Sequence, residues 1–140
     1  MNYTEKFKKD YDFGIAKENE KLNELRSRFG KDIVKCNRNF VMDYKGATCY
    51  LELKSRNCKK DTYPTTMVGE NKVRFAQQAK KEGFASFFCF LFSDGFYFWE
   101  YNEADIENGK VTFEMGGRCD RGRIERKPYA FIDKELLVAL

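Results

Sequence analysis

The run Phe84–Phe92 constrains the fold more than any other part of this 140-residue chain. It reads Phe-Ala-Ser-Phe-Phe-Cys-Phe-Leu-Phe, with Gly83 before it and Ser93-Asp94-Gly95 after it. A short apolar run closed by a turn signal reads as a buried strand, and it is too short to span a bilayer. The turn predicts that Phe96–Tyr101 pairs back as a hairpin. The aromatic set of Phe84, Phe87, Phe88, Phe90, Phe92, Phe96, Phe98 and Trp99 is therefore expected in a core rather than as a base-stacking platform.

Other elements fall around this hairpin. Ile15, Leu22, Leu25 and Phe29 share one face at helical spacing, which predicts a helix over 12–29 stopped by Gly30. Strands are expected at 33–36, 40–44 and 48–54, with a tight turn at Lys45-Gly46. A loop carrying Asn57, Asp61 and Tyr63-Pro64 leads to a second helix over 70–81, ended by Gly83. Residues 104–109 read as loop, Val111–Met115 as an edge strand and Gly116–Arg123 as a Gly/Arg loop. Tyr129–Ile132 reads as a short strand and 134–140 as a terminal helix. The order α-β-β-β-α-β-β makes this an α/β chain, a mixed sheet flanked by helices. No repeat or linker divides it, so a single domain over 1–140 is expected, with a basic C-terminal extension over about 104–140.

Composition removes several chemistries. The chain has no His, so no Ser-His or Cys-His dyad, His-ligated zinc or HNH-type site can be built. Five Cys are scattered without a C-x-x-C pair, as expected of free thiols in a reducing compartment. Residues 1–9 are polar and lack an apolar signal region. These features read as a soluble, cytoplasmic protein. The net charge of +4 permits a polyanion partner without demanding one.

The segment carrying chemistry is 40–54. Period 2 places Cys49, Leu51 and Leu53 on one strand face and Tyr50, Glu52 and Lys54 on the other. The Lys45-Gly46 turn folds Asp43 back beside that strand. Two neighbouring carboxylates repel unless a positive charge lies between them. A hard divalent cation, Mg²⁺ or Mn²⁺, suits such oxygen donors. Lys54 is left to orient or deprotonate a water. Two further charges break their helical patterns. Glu18 lies amid the Ile15, Leu22 and Leu25 stripe, and Lys72 lies on the stripe of Phe75, Ala76 and Ala79. Unpaired, such charges are costly on packing faces, although a lysine there can extend its head to water. Rule-breaking at several elements marks a functional site. Another Glu-x-Lys triplet, Glu125-Arg126-Lys127, lacks the apolar frame and the upstream Asp.

The pattern Glu18, Asp43-x8-Glu52-Leu53-Lys54 and Lys72 resembles the PD-(D/E)XK nuclease superfamily, in particular its small single-domain phage members and Holliday-junction-resolvase-like enzymes. Thr62–Met67 with Asn71-Lys72, and Gly116–Arg123, are similar to segments of the same phage group. Met42 stands where the family's Pro precedes the first acid. The resemblance implies a restriction-endonuclease-like core and metal-assisted hydrolysis of a phosphodiester. It implies Asp43, Glu52 and the Leu53 carbonyl as metal ligands, with Glu18 supporting the metal directly or through water. It implies that Lys54 positions the attacking water and that Lys72 contacts the scissile or neighbouring phosphate.

Charge segregation points to the substrate. Lys54, Arg56, Lys59 and Lys60 are four basic residues over 54–60 with no acid among them. Arg118, Arg121 and Arg123 are spaced for a phosphate clamp. The expected partner is nucleic acid, DNA above all, with no membrane, and a homodimer is one way to cut both strands. A phage-encoded chain would act in the host cytoplasm. Two rival readings are a non-catalytic nucleic-acid-binding protein that keeps the fold, and a plain salt-bridge network.

Overall fold

A computed structural model describes residues 20–120 and 123–140, with side chains throughout these except at 117–120 and 123–125. The chain divides into two compact units, Met1–Ile33 and Val34–Leu140. In the first unit, residues 20–29 form helix α1, with the stripe residue Leu25 fully buried. Gly30 ends α1 at φ +144°, a conformation that favours glycine, and its N–H donates to the Arg26 carbonyl at 3.1 Å. Arg26 Nε then donates to the Ile33 carbonyl at 2.8 Å. The expected helix start at Asp12, and Ile15 and Glu18 with it, lie outside the described residues.

The second unit is built on two sheets. Its elements are β1 (Val34–Lys35), β2 (Tyr44–Lys45), β3 (Cys49–Ser55), β4 (Thr65–Gly69), α2 (Glu70–Lys81), β5 (Ala85–Phe92), β6 (Gly95–Glu100), α3 (Glu103–Glu107), β7 (Val111–Asp120), β8 (Arg123–Asp133), a 3₁₀ turn (Lys134–Leu136) and β9 (Val138–Ala139). The larger sheet runs β1-β2-β3-β5-β6-β9, and the smaller runs β4-β8-β7. β3 and β5 are parallel; the other pairings are antiparallel. Parallel neighbours need a crossover, and α2 supplies it.

The expected β5–β6 hairpin forms. Phe88 and Phe90 are fully buried, and Phe92, Phe98 and Trp99 nearly so. Phe88, Phe90, Phe92 and Trp99 pack with Val73, Ala76 and Ala79 of α2 and with Val111, Ala130 and Ile132 of the smaller sheet. Helix α2 spans the expected residues because its apolar positions repeat toward this core.

Several local expectations are corrected. The order α-β-β-β-α-β-β omits β4, which precedes α2 and whose partner β8 is about sixty residues away in sequence. The strand expected over 40–44 is confined to Tyr44–Lys45, because residues 40–43 bend and the Asp43 side chain takes a strand amide. The loop expected over 104–109 begins with α3, capped by the Asn102 side chain accepting from the Ala104 N–H at 3.0 Å. Residues 116–120 and 123, read as loop, extend β7 and β8. A Cβ at Gly116 would stand 2.5 Å from the Tyr129 ring, so a glycine there lets that aromatic close over the strand. The terminal helix is instead a 3₁₀ turn followed by β9, which pairs with β6. The stretch 104–140, set apart in the sequence as an extension, thus contributes strands to both sheets.

Candidate active site

The β2–β3 register is Tyr44↔Leu51 and Lys45↔Tyr50. One step further the chain bends, and there the Asp43 carboxylate comes near enough to Glu52 for the two charges to interact. Asp43 is held from both sides: its N–H donates to the Leu51 carbonyl at 3.0 Å, and its carbonyl accepts from the Cys36 N–H at 2.8 Å. Its Oδ2 accepts from the Leu53 N–H at 2.8 Å. An N–H and the carbonyl of the same strand residue leave on the same side. The Leu53 carbonyl therefore faces the side on which Asp43 lies.

Glu52 is 2% exposed, one of the two buried polar side chains among the described residues. Its register partner is Phe88, fully buried. Lys54 follows on the same strand face, with Nζ 3.4 Å from Glu52 Oε1. Lys72, in the first turn of α2, places Nζ 3.3 Å from Glu52 Oε2 and also donates to the Val41 carbonyl. Despite that ion pair, Oε2 has no partner in hydrogen-bond geometry. Burial and the neighbouring Asp43 charge push the Glu52 carboxyl up to about 7, against the opposing pull of Lys54 and Lys72.

Four of the residues singled out in the sequence thus meet, from the bend before β2, from β3 and from α2: Asp43, Glu52, Lys54 and Lys72. Glu18 lies outside the described residues. Among the described residues, no group of three or more His, Cys, Asp or Glu is placed to hold a metal. The oxygens available here are two carboxylates and one backbone carbonyl. The Val41 carbonyl, which anchors Lys72, had no sequence signal, because any residue could supply it.

The basic tract after β3 is only partly open. Arg56 Nη2 donates to the Met67 carbonyl. Lys60 Nζ lies 3.7 Å from Asp61 and 5.3 Å from the Tyr97 ring centre. Lys59 is exposed. Arg118 and Arg123 lie on β7 and β8 with side chains outside those described, and Arg121 lies outside the described residues. Cys36, Cys49, Cys58 and Cys89 are free thiols. Among the described residues, no helix is long and apolar enough to cross a membrane.

A protein-family model described as "Phage putative PDDEXK endonuclease" matches residues 6–140. No curated protein and no solved structure matches the chain.

Proposed function

The chain belongs to the phage PDDEXK endonuclease family, and from that premise we propose that it hydrolyses phosphodiester bonds of DNA with Mg²⁺ or Mn²⁺ held at Asp43 and Glu52. The observation that carries this reading is the neighbouring carboxylate pair: Glu52 is 2% exposed, beside the Asp43 charge, with a buried oxygen lacking a hydrogen bond. A fold gains nothing from such a pair alone, since neighbouring like charges repel. A hard divalent cation fits these donors, with the Leu53 carbonyl as a third and Glu18 as a further candidate. Such a cation supplies a Lewis acid that polarises the phosphodiester and makes a nearby water more acidic.

The remaining work falls to this chain's own side chains. Asp43 holds the β3 backbone at Leu53 through its Oδ2, so that the carboxylate and the carbonyl share one side. Lys54, 37% exposed at the solvent edge, orients the attacking water. Lys72, 21% exposed, meets the phosphate next to the cut, where its charge offsets that developing on the oxygens. Lys59 and Lys60 draw in the backbone by charge, and Arg118, Arg121 and Arg123 are proposed to add grip. The described residues hold one such site, and with one site per chain a double-strand cut takes two chains or two encounters. For a phage-encoded chain the place of action is the host cytoplasm.

The test is cleavage of supercoiled plasmid, single strand and four-way junction in Mg²⁺, Mn²⁺ or EDTA. The Asp43→Ala and Glu52→Ala proteins run alongside, with their folding checked by circular dichroism. Metal-dependent cutting by the parent protein alone is the expected result. Equal cutting by folded Asp43→Ala and Glu52→Ala would refute the site. Silence of the parent protein with salt-dependent DNA binding would leave the accessory binder.

A further inference from the structure

The strand that carries Glu52 and Lys54 runs on, through Arg56, to the wall of a cleft. A cleft of about 380 Å³ opens beyond the carboxyl ends of the parallel strands β3 and β5, lined by Lys59, Lys60, Tyr63, Met67, Phe92 and Phe131 among others. Crevices at the carboxyl ends of parallel strands are the usual ligand sites of such sheets. Arg56 follows Lys54 by two residues on the same face, about 7 Å farther along. It forms one wall, with its N–H on the Leu91 carbonyl at 2.8 Å and its guanidinium on the Met67 carbonyl. That pair ties the exit of β3 to β4, so the cleft stays open between the two sheets.

The chemistry of the lining is selective. Its floor is apolar, with Met67 and Phe131 set opposite each other in the β4–β8 register. Its rim is cationic, with no carboxylate in the lining. Tyr63 is 63% exposed at that rim, which leaves its ring open to a stacking partner. The cavity lies at the small end of ligand pockets, which run from about 300 to 1,000 Å³. A flat apolar ring joined to a negative backbone satisfies all four features. A base within a continuous duplex does not, because its faces are already stacked.

We propose that this cleft receives one unpaired nucleobase of the strand being cut, with Tyr63 stacked on the base and Lys59 on a flanking phosphate. Lys60 contributes less, because Asp61 and the Tyr97 ring already share its charge. The proposal rests on the nuclease reading above and gives that reading a substrate class: nucleic acid with unpaired nucleotides beside the cut, rather than continuous duplex.

The experiment measures binding in EDTA, so that cleavage plays no part. Fluorescein-labelled single-stranded DNA and a blunt duplex of the same sequence are titrated with the parent protein, Tyr63→Ala and Tyr63→Phe. A parallel single strand carries 2-aminopurine, whose fluorescence is quenched by stacking. The parent protein binds the single strand more tightly than the duplex. Tyr63→Ala weakens single-strand binding about 5- to 150-fold and leaves duplex binding unchanged. Tyr63→Phe keeps both the affinity and the quenching, since stacking needs the ring and not the hydroxyl. Equal single-strand affinity of Tyr63→Ala and the parent protein overturns the proposal, as does a parent protein that does not distinguish the two DNAs. Cleavage in Mn²⁺ is scored separately. A Tyr63-dependent single-strand preference without any cleavage keeps the cleft and removes the nuclease reading. Cleavage of blunt duplex without a Tyr63 effect keeps the nuclease and removes the cleft.

Discussion

Two strands carry the triplet Glu-x-Lys, β3 as Glu52-Leu53-Lys54 and β8 as Glu125-Arg126-Lys127, and a further copy, Glu70-Asn71-Lys72, opens α2. β3 is an inner strand of the larger sheet, between β2 and β5. There Glu52 is buried, lies beside the Asp43 charge and Phe88, and is met by Lys54 and by Lys72 from a helix. β8 continues past its partner β4 as a two-stranded ribbon with β7, where Arg126 and Lys127 are exposed. Glu125 has Arg118 as its register partner, and Lys127 has Gly116. The same three-residue spacing is a buried charge cluster in one place and, at Arg126 and Lys127, exposed ribbon in the other. Burial and the neighbouring Asp43 charge raise the Glu52 carboxyl, whereas Arg126 and Lys127 stand exposed on the ribbon.

The comparison can be broken most directly by activity. Glu52→Ala is expected to lower DNA cleavage by at least roughly 100-fold, whereas Glu125→Ala stays within about twofold of the parent protein. Equal losses in a plasmid assay would mean that the two triplets are equivalent. The wall that buries Glu52 comes next. Phe88→Ala should destabilise the fold by about 3–5 kcal/mol in urea titrations, against about 0.5 kcal/mol or less for Arg126→Ala.

The third contrast is in pH. Glu52 titrates near 7 in the folded chain and near 4.5 when unfolded, so the folded state holds more protons between these values. Without divalent metal, stability should therefore fall as pH rises from about 4.5 to about 7 and level off above that. The total is on the order of 3 kcal/mol. Melting curves of Glu52→Gln should lose this slope, and saturating Mn²⁺ should flatten it in the parent protein, because metal binding favours the ionised carboxylate. The smallest effect sharpens the comparison from the other side. Lys127→Ala should shift stability by about 0.5 kcal/mol or less, whereas Lys54→Ala should lower turnover more than it lowers Mn²⁺ affinity. Calorimetry beside the cleavage assay checks the second.

Much of this was legible in the sequence where signals are local and repeated. The run 85–92 with its Ser93-Asp94-Gly95 turn, and the helix 70–81 between Gly69 and Gly83, declare themselves by pattern and punctuation. So does the grouping of Glu52 and Lys54 on one face, which period 2 dictates, and the return of Asp43, which the turn dictates. Strands whose reason is a distant partner were not legible. β4 is a five-residue segment after Pro64 that becomes a strand through β8, and β9 becomes one through β6. The glycine-rich stretch 116–123 has the composition of a loop. Its pairing across the ribbon, and the Tyr129 ring over Gly116, outweigh that local preference.

Taken alone, the sequence determined which residue types can carry the chemistry and which chemistries are closed to them. Without His, and with acids and lysines on a strand face and a helix stripe, it set the identity of the cluster. Tertiary structure decided what those residues became. Glu52 acquires its raised pKa only where β5 and Phe88 exclude water and Asp43 stands near. Lys72 reaches Glu52 only because α2 crosses between the parallel strands β3 and β5. The cleft beyond Lys54 takes its apolar floor from β4 and β8, which pair in the second sheet. Burial, and charge brought together from distant segments, are properties of the folded chain, and no local spacing encodes them.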